Sequence, residues 1–133
     1  MTHPSHIPRA IVIDLPIRTG AGLNDRMHWR RRAKLVKEQR TAAYHSVFFR
    51  SMTDAALFFP ATITLTRLSS GVLDDDNLQG ALKAIRDGVA DAYCRADNDP
   101  GFVWCYAQEK CRRGTYGVRI SITPGSVSQR SAA

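Results

Sequence analysis

FVWCYAQEKCRRGTYGVRISI, residues 102–122, decides the fold. Two β-rich runs, FVWCYAQEK at 102–110 and TYGVRISI at 115–122, flank the short segment CRRG, which carries a glycine and suits a hairpin. Hairpin-linked strands run antiparallel, so a sheet that holds both cannot be all-parallel. Upstream, LDDDNLQGALKAIRDGVADAYCRADNDP at 73–100 supplies a helix from Asn77 to Tyr93. Its apolar side is Leu78, Leu82, Ile85 and Val89, and Asp74 or Asp75 caps it. ATITLTRL at 61–68 alternates Ile63 and Leu65 with threonines and follows Pro60, a strand pattern.

Further towards the N-terminus, Arg26 to about Arg50 lacks Gly and Pro. Trp29, Ala33, Val36, Ala43 and Val47 recur there at helical spacing, with Asn24 or Asp25 as the N-cap. AIVIDLPI at 10–17 is a first strand closed by Pro16, and the turn RTGAGLND joins it to that helix. The order is βαβαββ, an α+β domain with a mixed sheet and helices packed against it. The domain runs from 9 to 123, between a loose arm at 1–8 and a small, polar tail at 124–133. A chain of 133 residues is one domain by size.

Charge is distributed unevenly. The protein carries +7 overall, with a sequence pI near 9.8, so a polyanionic partner is expected. Yet seven of the twelve carboxylates fall between residues 74 and 99. Outside 73–100 there are sixteen Lys or Arg against five Asp or Glu, about +11. Packed like charges oppose folding unless a cation neutralises them, and a divalent metal over a nucleic-acid-binding surface is one answer. On the first helix Arg26, Arg30, Lys34 and Lys37 recur in steps of three or four, flanked by Arg31, Arg32 and Arg40, with Glu38 the only acid.

Several classes are disfavoured. No apolar run approaches the roughly 20 residues of a membrane span, and MTHPSHIPRA lacks the order of a secretory signal, so a cytoplasmic protein is expected. Cys94, Cys105 and Cys111 are odd in number and without CxxC spacing, which suggests neither a disulfide framework nor a zinc site. His3, His6, His28 and His45 show no metal spacing. There is no Gly-rich phosphate loop, hence no nucleotide cofactor, and no nucleophile elbow. An EF-hand fails on count from Asp74, since Gln79 stands where Gly is needed and Ile85 where Glu is needed.

On the second helix Asp76, Gly80, Lys83 and Asp87 share one face opposite the leucines. Gly80 costs about 1 kcal/mol relative to Ala there, which suggests either room for a phosphate or hydrated metal, or tight helix packing. Two or three carboxylates with a substrate phosphate suffice for Mg²⁺, and a nearby Lys83 would stabilise charge growing on phosphorus. Asp97 and Asp99, however, follow a helix that is about 27 Å long if straight.

At these residues the chain resembles the RusA family of Holliday junction resolvases, small dimeric Mg²⁺-dependent endonucleases often encoded by phages and prophages. The similarity runs from LPIRTGAGLNDRMHWRRRAKLVKEQR to YGVRISI, and its most specific part is DDDN, a Lys on the same helix, then an acidic turn and a strand. The resemblance implies that Asp74 and Asp76 are catalytic metal-binding carboxylates, that Asn77 completes the motif, and that Lys83 is the catalytic lysine. Short members place that lysine four residues after the last Asp rather than seven, and both offsets fall on one helix face. For the third carboxylate, reading back from the following strand favours Asp99, while reading DN for the family's DD favours Asp97. The resemblance further implies that this turn returns to the DDDN end, that Mg²⁺ is the cofactor with Mn²⁺ able to substitute, and that a homodimer cuts a four-way junction in two strands, in recombination and repair or in phage DNA processing. Asn24, Arg30, Arg31, Lys34, Lys37, Arg112 and Arg113 would then contact the DNA. The competing readings are a non-catalytic basic nucleic-acid-binding module and a metal nuclease acting on other branched DNA or RNA.

Overall fold

Alternation of apolar and polar residues builds the sheet. In strand β1 (Ile11–Leu15), Ile11, Ile13 and Leu15 are buried while Val12 and Asp14 face solvent. Strand β2 (Ala61–Ser69) buries Ala61, Ile63, Leu65 and Arg67 on the same side. Strand β3 (Phe102–Lys110) turns Phe102, Trp104 and Tyr106 towards the core, and strand β4 (Gly117–Pro124) contributes Val118, Ile120 and Ile122. The computed structural model describes residues 10–20, 28–53 and 57–125; the N-terminal arm, Asn24 and Asp25, and the tail beyond 125 lie outside them.

One four-stranded mixed sheet results, in the order β1-β4-β2-β3. The expected β3–β4 hairpin does not form. Instead β4 lies between β1 and β2, antiparallel to both, and β3 lies parallel to β2 on its other side. Ile120 thus faces Ile13 on one flank and Leu65 on the other. The connection from Lys110 to Gly117 steps across the end of β2, where the Cys111 N–H donates to the Ser69 carbonyl at 2.7 Å. The physical reason is burial: Val118, Ile120 and Ile122 are fully enclosed, which a strand achieves most easily with neighbours on both sides. β3 ends in Gln108, Glu109 and Lys110, a polar edge.

Both helices cover the apolar face. Helix α2 (Asp75–Ala92) buries Leu78, Leu82, Ile85 and Val89, the stripe its spacing predicts. Each such side chain contributes roughly 1.5–3 kcal/mol on removal from water. Helix α1 (Trp29–Thr53) packs on α2 and β1 but buries only Gln39, Ala43 and Val47. Trp29, Ala33 and Val36, expected in its apolar stripe, are exposed, Trp29 by 67%. Gln39 donates to the Arg18 carbonyl just past the end of β1. No residue of 29–38 is buried, so about 15 Å of basic helix overhangs the sheet at that end. The opposite face of the sheet, with Thr62, Thr64, Thr66 and Ser121, is half-exposed, as one-sided sheets are.

The helices meet at Gly88, not Gly80. A methyl group on Gly88 would run into the Arg40 carbonyl and stand 2.8 Å from the Ala43 Cβ. Gly80 is exposed, so tight packing does not account for it. No described helix is long and apolar enough to cross a membrane.

Candidate active site and nucleic-acid interface

Asp74 is the N-cap of α2, with extended backbone at φ −70° and ψ 171°. Its Oδ1 accepts from the Asn77 backbone N–H at 2.9 Å and from the Asn77 side-chain amide at 3.0 Å. Asn77 therefore locks the carboxylate in place from a buried position, a local reason for the fourth residue of DDDN. Asp75 and Asp76 stand exposed in the first turn, where the helix dipole favours negative charge. Leu73 is fixed from outside, because the Gln108 side chain both accepts from its N–H and donates to its carbonyl.

Lys83 points away from this helix start. Its Nζ donates to Asp87 at 2.7 Å and lies 3.5 Å from Asp97. The bond to Asp87, with the attraction of Asp97, outweighs desolvation and raises the lysine pKa. Asp97 does return along the helix, as far as Lys83 and Arg86. Burial pushes its carboxyl up, but the combined pull of Lys83 and Arg86 holds it below the ordinary carboxylate range. Arg86 Nε is 2.8 Å from Asp97 Oδ2, off the hydrogen-bond axis, so the contact is mainly Coulombic.

Sequence reasoning missed Arg86. Its guanidinium donates to the Tyr106 hydroxyl at 2.7 Å and to the Asp97 carbonyl at 3.3 Å, and it lies 4.8 Å from the centre of the Trp104 ring. Trp104 Nε1 donates to the same carbonyl at 2.7 Å. These contacts fasten the 93–101 turn to α2 and give Trp104 and Tyr106 their role on the core side of β3. The available signal was Arg86 one helical turn after Lys83. Asp99 stands apart: it accepts from the Gly101 N–H at 2.9 Å and pairs with Arg95 at 3.2 Å.

The acidic residues thus form two groups. Asp74, Asp75 and Asp76 open α2, whereas Lys83, Asp87, Arg86 and Asp97 lie about 10 Å or more further along it. Among the described residues no three His, Cys, Asp or Glu side chains converge to hold a metal ion. Asp97 is engaged with Lys83 and Arg86, and Asp99 with Arg95 and the Gly101 N–H. Asp87 and Asp91 face α1 through Arg40, whose bonds to Asp91 measure 2.6 and 2.9 Å.

The basic residues gather differently. Arg30, Arg31, Lys34 and Lys37 are exposed on the overhanging turns of α1. Arg112 and Arg113 are exposed in the 111–116 connection at the carboxyl end of β2. Asp74 to Asp76 follow that same strand end. No protein-family model matches the chain, and no curated protein resembles it closely enough to count as a relative.

Proposed function

We propose that this chain is a Mg²⁺-dependent, structure-selective DNA endonuclease that acts as a homodimer on Holliday junctions, cutting beside Asp74 and Asp76. The supporting observation is that the exposed acids at 74–76 lie at the end of the sheet where Arg112, Arg113 and the overhanging turns of α1 also stand. Cations there would draw a phosphate backbone towards carboxylates that would otherwise repel it.

Of the four carboxylates expected to bind metal, Asp74 and Asp76 fit a hard cation. Both are exposed oxygen donors within one turn, and the bonds to Asn77 use only one Asp74 oxygen. Mg²⁺ needs no more than one or two protein carboxylates beside waters and substrate phosphate. When bound, the ion would polarise a phosphoryl group and lower the pKa of a water. Asn77 holds Asp74 in a fixed rotamer, and Gly80 leaves the next turn bare for the substrate.

A second reading, a non-catalytic nucleic-acid-binding module, is favoured by the structural duties of Asp74 as a cap, Asp97 as an ion-pair partner and Asp99 as a turn residue. A labelled four-way junction incubated with and without Mg²⁺ separates the two. Nicking only with Mg²⁺, lost in Asp76→Asn while junction binding persists, is the expected result; binding indifferent to Mg²⁺ without nicking selects the module. A panel of other branched DNA and RNA substrates defines selectivity.

A further inference from the structure

Arg67 is a buried arginine without a carboxylate partner among the described residues. It is only 8% exposed, on the core side of β2. Nε donates to the Thr19 hydroxyl at 3.0 Å and Nη1 to the Gly71 carbonyl at 3.2 Å. Both acceptors are neutral. Arg40, Lys83, Arg86, Arg95 and Arg119 each face a carboxylate, whereas no carboxylate among the described residues lies within ion-pair distance of Arg67. Burial alone lowers its pKa, yet a guanidinium stays charged at neutral pH and has five donors to satisfy. A buried charge without a counter-charge is costly.

A cavity of about 260 Å³ opens beside it. Arg18, Thr19, Arg67, Ser70, Thr115 and Tyr116 are among its lining residues, and none of the described lining residues is acidic. The Arg18 guanidinium lies 4.6 Å from the centre of the Tyr116 ring, a stacked position that orients its fork at little entropic cost. The cavity sits past the carboxyl ends of β1 and β2, where β4 separates these two parallel strands.

We propose that this cavity binds a phosphate group, supplied by a nucleic-acid backbone next to the acids at 74–76. The backbone assignment rests on the reading of the chain as a DNA-cutting protein; the phosphate chemistry does not. Two arginine forks, with the hydroxyls of Ser70 and Thr115 beside them, suit the charge and oxygens of a phosphate better than a neutral ligand. Gly71, held by Arg67, is three residues from Asp74, so their Cα atoms are at most about 11 Å apart. A diester anchored at Arg67 would lie within a nucleotide or so of Asp74 and Asp76.

Replacing Arg67 would also sever Thr19 from Gly71, so the decisive variants are at exposed positions, Arg18→Ala and Ser70→Glu, with Thr53→Glu as a distant control. In the full chain, inorganic phosphate should give a saturable rise in melting temperature beyond chloride at equal ionic strength, lost in both rim variants and kept in the control. With a labelled four-way junction, each rim variant should reduce the magnitude of the slope of log affinity against log salt by about 0.9, the value of one phosphate contact. A phosphate effect without any slope change overturns the backbone assignment and gives the pocket to a free phosphate. Absence of any phosphate effect on the unmodified chain overturns the pocket itself. If the unmodified chain binds no junction, the endonuclease reading fails while the phosphate arm still decides the pocket.

Discussion

Two glycines on α2 have opposite meanings, and a single added methyl group distinguishes them. Gly80 is exposed in mid-helix, so Gly80→Ala gains helix propensity and should stabilise the protein by roughly 0.5–1 kcal/mol. Gly88 faces α1, where the same methyl meets the Arg40 carbonyl and the Ala43 side chain. Overpacking against backbone outweighs the propensity gain, and Gly88→Ala should lose roughly 1–3 kcal/mol. Urea denaturation of the two variants checks both signs, and equal effects would contradict the helix contact described here. The DDDN run and a cap at Asp74 or Asp75 were legible because capping is local chemistry between residues three apart, and the structure selects Asp74. Gly88 was not legible, since its neighbour is 45 to 48 positions earlier in the chain.

At the scale of elements, the ion pairs between α1, α2 and the 93–101 turn give stability a defined pH window. Asp97 and Asp91 both titrate below their ordinary range in the folded state. For Asp91 the bond from Arg40 is the main cause, working against burial. Depressed carboxylates stabilise above their unfolded pKa, about 3.9, and that contribution is lost as pH falls through the folded value. Lys83 has the opposite sign: its raised pKa stabilises below about 10.4, and the benefit is lost as pH rises through the folded value. Asp97→Asn should therefore be less stable than the unmodified protein at pH 7, with the difference shrinking towards pH 2. Urea midpoints across that range test it, and a variant more stable at pH 7 without metal would instead show Asp97 to be under net repulsion. The resemblance implies that this turn returns towards the DDDN end, but its contact with Lys83 and Arg86 could not be read from the sequence. Its anchors, Arg86, Trp104 and Tyr106, become neighbours only when β3 pairs with β2.

For the molecule as a whole, the element order was legible because each helix and strand carries its own periodicity, but strand neighbours were not. The run CRRG reads as a hairpin, yet the six-residue connection spans β2 and lets β4, with Val118, Ile120 and Ile122 fully buried, take an interior place in the sheet. Burial of a strand on both flanks is a property of the whole sheet, and no short segment encodes it. The same limit applies to α1, where helical spacing marked Trp29 and Val36 as apolar positions but could not show where the sheet beneath them ends. That overhang separates binding from folding. Arg31, Lys34 and Lys37 are exposed on turns with no buried residue, so changing all three to Gln should alter stability by no more than about 0.5 kcal/mol per site. If all three contact phosphates, the magnitude of the salt slope for a four-way junction should fall by up to about 2.7, three contacts at 0.9 each. Affinity measured between 50 and 200 mM salt, beside a thermal melt of the same variant, tests both parts. An unchanged slope would move the DNA grip off α1 and onto the 111–116 connection, while a large drop in melting temperature would mean that these turns pack against a surface, as the first apolar stripe predicted.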